Sequence, residues 1–168
     1  MNGQLSWRIP LQHMGGDSAD ILARLGSGDN VRFAMILGTS ELDAQFLTEK
    51  MYVGLGWLAP GTEYPPHAHQ AWELYHVLKG RAKWGPNPHQ LTVRSPGEVL
   101  VHQSGEPHMM VVPEDQYLLV VYAWTGDING RWGQTSLLGI LYLEFTVVQV
   151  LVVLTTFWQI SVCIHIKV

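Results

Sequence analysis

The sequence predicts an all-β fold, a sandwich or barrel built of short strands. Three observations carry this. Short runs rich in β-branched and aromatic residues recur along the chain. Clusters of Gly, Pro, Asn, Asp and Ser separate them about every 8 to 14 residues, and no helical period fills the gaps as a doubly wound α/β fold would require.

Taken in order, Asp17 to Leu25 (DSADILARL) reads as a short helix, with Asp17 or Ser18 as cap, Ile21, Leu22 and Leu25 apolar, and Gly26 and Gly28 ending it. It gives residues 1–30 a helical character. The period then changes. Val31 to Leu37, Met51 to Leu58, Trp72 to Leu78, Gln90 to Val93, Glu98 to His102, His108 to Val112 and Tyr117 to Trp124 read as strands. They are punctuated by GTS, APGTEYPP, GPNPH, SPGE, SGEP and PEDQ, and together they form the expected barrel, residues 31–130. Turn residues near Gly130 introduce a tail, residues 131–168, that is apolar nearly throughout from Leu137 to Ile166. That stretch is long enough for a bilayer, which takes roughly 20 apolar residues. Its Val, Ile, Thr and aromatic content suits buried strands equally, and Glu144 would be costly at membrane depth. A membrane anchor, a pair of strands and a tail foreign to the domain all stand as readings.

Composition excludes several classes. The chain of 168 residues carries a formal charge of −4, and its 10 Lys and Arg are scattered singly, so no basic stripe could follow a nucleic acid backbone. Cys163 is the only cysteine, which rules out an internal disulfide or a thiolate zinc set. The first residues lack both a basic and an apolar signal region, and a cytoplasmic protein is expected.

Candidate chemistry concentrates in EYPPHAHQAWELYHVLKG, Glu63 to Gly80. Alternation on a strand sends Glu73, Tyr75 and Val77 to one side and Leu74, His76 and Leu78 to the other, while His67 and His69 share a face of the preceding extended segment. Two imidazoles and a carboxylate are three ligands for a divalent first-row metal, and His108, in PGEVLVHQSGEPHMMV, is the candidate for a fourth from a distant strand. His13, His76, His89 and His165 read as ordinary surface or core histidines; His102 stays ambiguous, either structural or supporting the ligands.

More of a pattern surrounds these residues. Gly61, five residues, His67-x-His69, three residues, Glu73, six residues and Gly80 match the first signature motif of the cupin family. Pro96-Gly97 opens and His108 closes a looser second motif, in which His102 stands where proline is common and the final asparagine is missing. The chain thus resembles the cupins, and the resemblance implies a double-stranded β-helix, a jelly-roll-like barrel, with His67, His69, Glu73 and His108 binding one divalent transition metal. Iron, manganese, zinc, cobalt and nickel suit such ligands alike.

Three further features narrow the likeness: Tyr64 three residues before His67, Tyr75 two after Glu73, and the late strand ending Tyr122-Ala-Trp124-Thr-Gly-Asp127. From about Trp57 to Ile128, and more faintly back to Val31, the chain is similar to the cupin-type dimethylsulfoniopropionate lyases. The resemblance implies β-elimination of a small sulfonium carboxylate to acrylate and dimethyl sulfide. Tyr75 would serve as base, its phenol lowered from about 10 by the nearby cation. Tyr64 would bind the carboxylate or assist the proton transfer. Tyr122 and Trp124 would offer aromatic faces to the sulfonium, a soft cation with no hydrogen to donate. Core packing is the plain alternative for these aromatics. Fold-level likeness also leaves open a non-catalytic cupin that binds a small carboxylate or sugar, or a metal-dependent dioxygenase. Cupins often pair, so a homodimer is expected.

Overall fold

The computed structural model describes residues 5–9 and 29–129. The helix expected at Asp17 to Leu25 and the apolar tail 131–168 lie outside them. The described residues form eleven strands: β1 (Trp7–Arg8), β2 (Val31–Gly38), β3 (Phe46–Leu47), β4 (Tyr52–Leu58), β5 (Glu63–His67), β6 (Ala71–Lys79), β7 (Ala82–Gly85), β8 (Thr92–Arg94), β9 (Val99–His102), β10 (His108–Val111) and β11 (Leu118–Gly126). Among the described residues no helix is long and apolar enough to cross a membrane.

The strands form two sheets. The larger runs β1-β2-β4-β11-β6-β9, with β3 added beside β2, and the smaller runs β5-β10-β7-β8. Neighbours pair antiparallel except β2 and β3. All seven runs read as strands from the sequence lie within or overlap one of these elements. Four strands were not read as such. β5 carries Pro65 and Pro66, which look like turn residues but are tolerated because β5 sits at the edge of its sheet. β7 is four residues long, and β1 and β3 two each, too short for periodicity to register.

The core lies between the sheets. Val31, Phe33, Leu58, Val77, Leu118 and Val120 of the larger sheet and its margins meet Tyr64, Ala82, Trp84 and Met110 of the smaller. Val31, Val77 and Leu118 are fully buried, and each such side chain contributes about 1.5–3 kcal/mol. On β6 the alternation is nearly complete: Glu73, Tyr75 and Val77 are buried while Trp72, His76 and Leu78 reach solvent. The two outer glycines of the sequence motif have a backbone reason. Gly61 and Gly80 hold φ of 73° and 76° in the turns that flank β5 and β6, a region side-chain-bearing residues rarely adopt. A Cβ on Gly80 would also lie 1.9 Å from the Tyr117 carbonyl oxygen.

Candidate metal centre

Two cross-strand rows build the site. On the smaller sheet His67, at the end of β5, pairs directly with His108, at the start of β10. On the larger sheet Glu73 of β6 stands between Trp124 of β11 and His102 of β9. Side chains opposite one another on one face of a sheet are within reach, so each sheet presents a row of polar groups to the interior. His69 enters from the connection between β5 and β6. A register shift between His108 and Met110 interrupts β10, and His108, Met109 and Met110 are all buried there, so strict alternation is relaxed where His108 turns inward.

His67, His69, Glu73 and His108 are all buried, and their ligand atoms lie within 4.8 Å of one another. The histidines are anchored alike. Nδ1–H of His67 donates to the Pro65 carbonyl over 2.8 Å, that of His69 to Ala71 over 3.0 Å, and that of His108 to Glu106 over 2.9 Å. This network fixes one tautomer and leaves Nε2 of each ring as the lone-pair nitrogen. Nε2 of His69 and of His108 then face the same carboxylate oxygen, Glu73 Oε2, at 3.0 and 2.9 Å. Nε2 of His108, although close, has no aligned hydrogen bond. A ring already donating from Nδ1 can donate from Nε2 only as an imidazolium, so the arrangement asks for extra protons or for a cation. Metal–ligand bonds of about 2.0–2.2 Å give the close mutual spacing that this nitrogen and oxygen set has. The residues therefore fit a divalent ion.

The electrostatics follow from burial and proximity. Burial alone would raise the Glu73 carboxyl, but His69 and His108 outweigh it and hold it well below 4.5. Burial, followed by the charge of His108, pushes His67 well below 6.5. His108 also suffers burial, yet the Glu73 carboxylate and the Glu106 carbonyl lift it above 6.5. His102 is lowered to about 4, first by burial and then by His108.

Tyr75, Tyr64 and Tyr122 are buried around this centre. Tyr75 and Tyr122 face each other on the next inward row, two residues along from Glu73 and Trp124. The Tyr64 ring meets His67 edge-on at 4.8 Å, and the Tyr122 hydroxyl lies 3.9 Å from Met35 Sδ. Burial, and then the Glu73 carboxylate, raise all three phenols; that of Tyr75 stands well above 10. Without a cation the Tyr75 phenol is thus raised, the reverse of the lowering expected from the sequence.

Two features went unseen in the sequence. Trp124 Nε1–H donates to Glu73 Oε1 over 2.6 Å while its ring lies 4.4 Å from that of His69. His102 stacks on His108, centroids 4.2 Å apart and planes 9° from parallel. His76 and His89 lie outside the cluster.

A family profile described as dimethylsulfoniopropionate lyase matches residues 4–142. The dimethylsulfoniopropionate lyase DddQ of Ruegeria pomeroyi is 29% identical over 107 residues, which are 64% of this chain and 52% of that protein. The chain thus spans about half the length of that relative. The crystal structure of DddQ from Ruegeria pomeroyi superposes with a TM-score of 0.59 at 24% identity, covering 76% of this chain and 59% of that one. An RmlC-like cupin from Shewanella frigidimarina superposes with a TM-score of 0.51 at 14% identity, covering 77% and 91%. At such identities the structural likeness establishes the fold, a cupin double-stranded β-helix, and leaves chemistry to the site.

Proposed function

The chain belongs to the dimethylsulfoniopropionate lyase family, and from that premise we propose that it is a metal-dependent lyase that cleaves dimethylsulfoniopropionate to acrylate and dimethyl sulfide. His67, His69, Glu73 and His108 would hold one divalent cation. The cation would supply Lewis acidity to the substrate carboxylate, easing the build-up of negative charge beside a group that is already anionic.

This chain's own residues do the rest. Tyr75 takes the proton from the carbon alpha to the carboxylate. The electron pair of that C–H bond becomes the carbon–carbon double bond of acrylate, the carbon–sulfur bond breaks, and its pair leaves with sulfur as neutral dimethyl sulfide. A neutral leaving group needs no general acid. Tyr64, whose ring meets that of His67 edge-on, would bind the carboxylate or assist the proton transfer. Tyr122 and Trp124 offer faces to the sulfonium, roughly 0.5 to 2 kcal/mol each where water is excluded. The observation that carries the reading is a buried phenol, Tyr75, beside the one carboxylate of a three-imidazole cluster. Burial keeps that phenol neutral without metal, so the base form arises only with the cation in place.

The test is headspace detection of dimethyl sulfide from purified protein and dimethylsulfoniopropionate, with and without a chelator. Dimethyl sulfide that disappears on chelation is expected. Tyr75→Phe should lower release by about 10²-fold or more, within the range for loss of a general base, while metal content is unchanged. Loss of metal together with activity would make Tyr75 merely structural. Stoichiometric metal with no dimethyl sulfide would turn the assignment to a binding domain for a small carboxylate or sugar, or to a dioxygenase if oxygen is consumed.

A further inference from the structure

We propose that Trp124 is a positioning residue that confines Glu73 to one-oxygen ligation, an inference that rests on the cation-binding reading of the cluster. The two oxygens of Glu73 have different partners. Oε1 accepts the indole Nε1–H over 2.6 Å, just under the usual range for N–H···O. Oε2 is the atom that faces Nε2 of His69 at 3.0 Å and of His108 at 2.9 Å. Rotating the carboxylate to present both oxygens to the imidazoles would break the indole hydrogen bond inside a buried site, where an unpaired polar group is costly.

The indole acts on a second ligand as well. Its ring lies against His69, centroids 4.4 Å apart at an interplanar angle of 34°. Trp124 is itself held by the sheet: β11 sets it opposite Glu73 on one side and opposite Tyr52 on the other, and the Tyr52 ring lies 6.5 Å away. One side chain therefore fixes the rotation of the carboxylate through its N–H and the tilt of an imidazole through its face.

The consequence is a count. A carboxylate bound through both oxygens fills two positions on an ion; bound through one, it fills a single position. With Oε1 engaged by the indole, the chain contributes three nitrogens and one oxygen, and the remaining positions stay open to the substrate. Trp124 thus sets how much room the protein leaves on the ion, a role distinct from offering its face to a sulfonium.

Trp124→Phe keeps an aromatic ring beside His69 and removes the N–H together with the rest of the pyrrole ring. Cobalt(II) titrated in competition with a chelator reports affinity, and its visible d–d bands report the number and geometry of ligands. The variant should bind cobalt tenfold to a hundredfold more weakly, the usual range for loss of an outer hydrogen bond to a ligand, and its d–d bands should shift and lose intensity as Glu73 adds its second oxygen. Wild-type affinity or a wild-type spectrum in the variant overturns the inference alone. Wild-type protein that takes up no cobalt overturns the metal reading and this inference with it. Should Trp124→Phe fail to fold, wild-type protein labelled with ¹⁵N-tryptophan serves instead. One indole N–H signal should shift on adding zinc and resist solvent exchange, and indole signals all unmoved by zinc overturn the inference.

Discussion

His102 lies flat against a residue of the histidine–glutamate cluster, centroid to centroid 4.2 Å from His108 and 9° from parallel, and directly across the sheet from Glu73. Neither of its ring nitrogens has an aligned hydrogen bond among the described residues, although Nδ1 is 3.7 Å from Glu106 Oε1. What it contributes is therefore a surface. The Nδ1–H bond of His108 to Glu106 holds that ring at one nitrogen, and the parallel plate of His102 supports its face. Replacing His102 with Ala should loosen His108 and weaken metal binding about tenfold, the lower end for a residue supporting a ligand. Replacing it with Phe keeps the plate and should stay within about threefold of wild type, the residual expected when shape is kept and only outer contacts change. Chelator-competition titrations of the two variants decide the matter: equal losses in both would mean that the ring nitrogens, not the plate, matter.

At the scale of strands, the site depends on how closely β4, β11 and β6 approach. Gly54 of β4 pairs with Tyr122 of β11, and a Cβ there would stand 2.5 Å from the Tyr122 hydroxyl and 2.7 Å from the Ala34 carbonyl. The tyrosine ring lies over the strand because the glycine leaves it room. Gly54→Ala should cost about 1–3 kcal/mol, as overpacking does, read as a lower midpoint in urea unfolding; an unchanged midpoint would show that the pair can spread at no cost. This dependence between strands also marks where the sequence stops being legible. The main strands were visible because β-branched runs and turn clusters are local signals, and so were three of the four clustered residues, because H-x-H-x3-E and the inward alternation of β6 are local too, while His108 was marked by the looser motif that Pro96-Gly97 opens. The proline-bearing β5 was hidden because only the sheet reveals it as an edge. The hydrogen bond from Trp124 to Glu73 and the stack of His102 on His108 were hidden because they follow from the pairing of β6 with β11 and β9 and from the facing of the two sheets, and no spacing within one strand encodes either.

For the molecule as a whole, burying several imidazoles together makes the metal-free protein sensitive to acid. His67 and His102 are both pushed below 6.5, chiefly by burial, His102 to about 4. The unfolded chain takes up protons at both near 6.5, while the folded protein refuses them until lower pH, so folding stability falls as pH drops through this window. His108 has the opposite sign. Its raised value gives a contribution fully present below 6.5 and lost as pH rises through the folded value. Glu73, held well below 4.5, adds a contribution present above 4.5 and lost as pH falls further. The metal-free protein should therefore be most stable near or just above pH 6.5 and weaken steadily toward pH 4.5. Urea unfolding of chelator-treated protein across this range measures the slope. Burial lowers His76 as well, so His102→Phe removes one of three protons that drive the slope and should reduce it without abolishing it; a slope unaltered in that variant would mean that His102 accepts its proton in the fold as readily as in the open chain. Saturating metal should lift the curve and steepen its fall toward acid, because a cation that binds only the folded protein through neutral imidazoles stabilises it as the logarithm of concentration over Kd and keeps off the folded protein protons that the unfolded chain takes up, until acid strips the ligands and the metal-free slope returns.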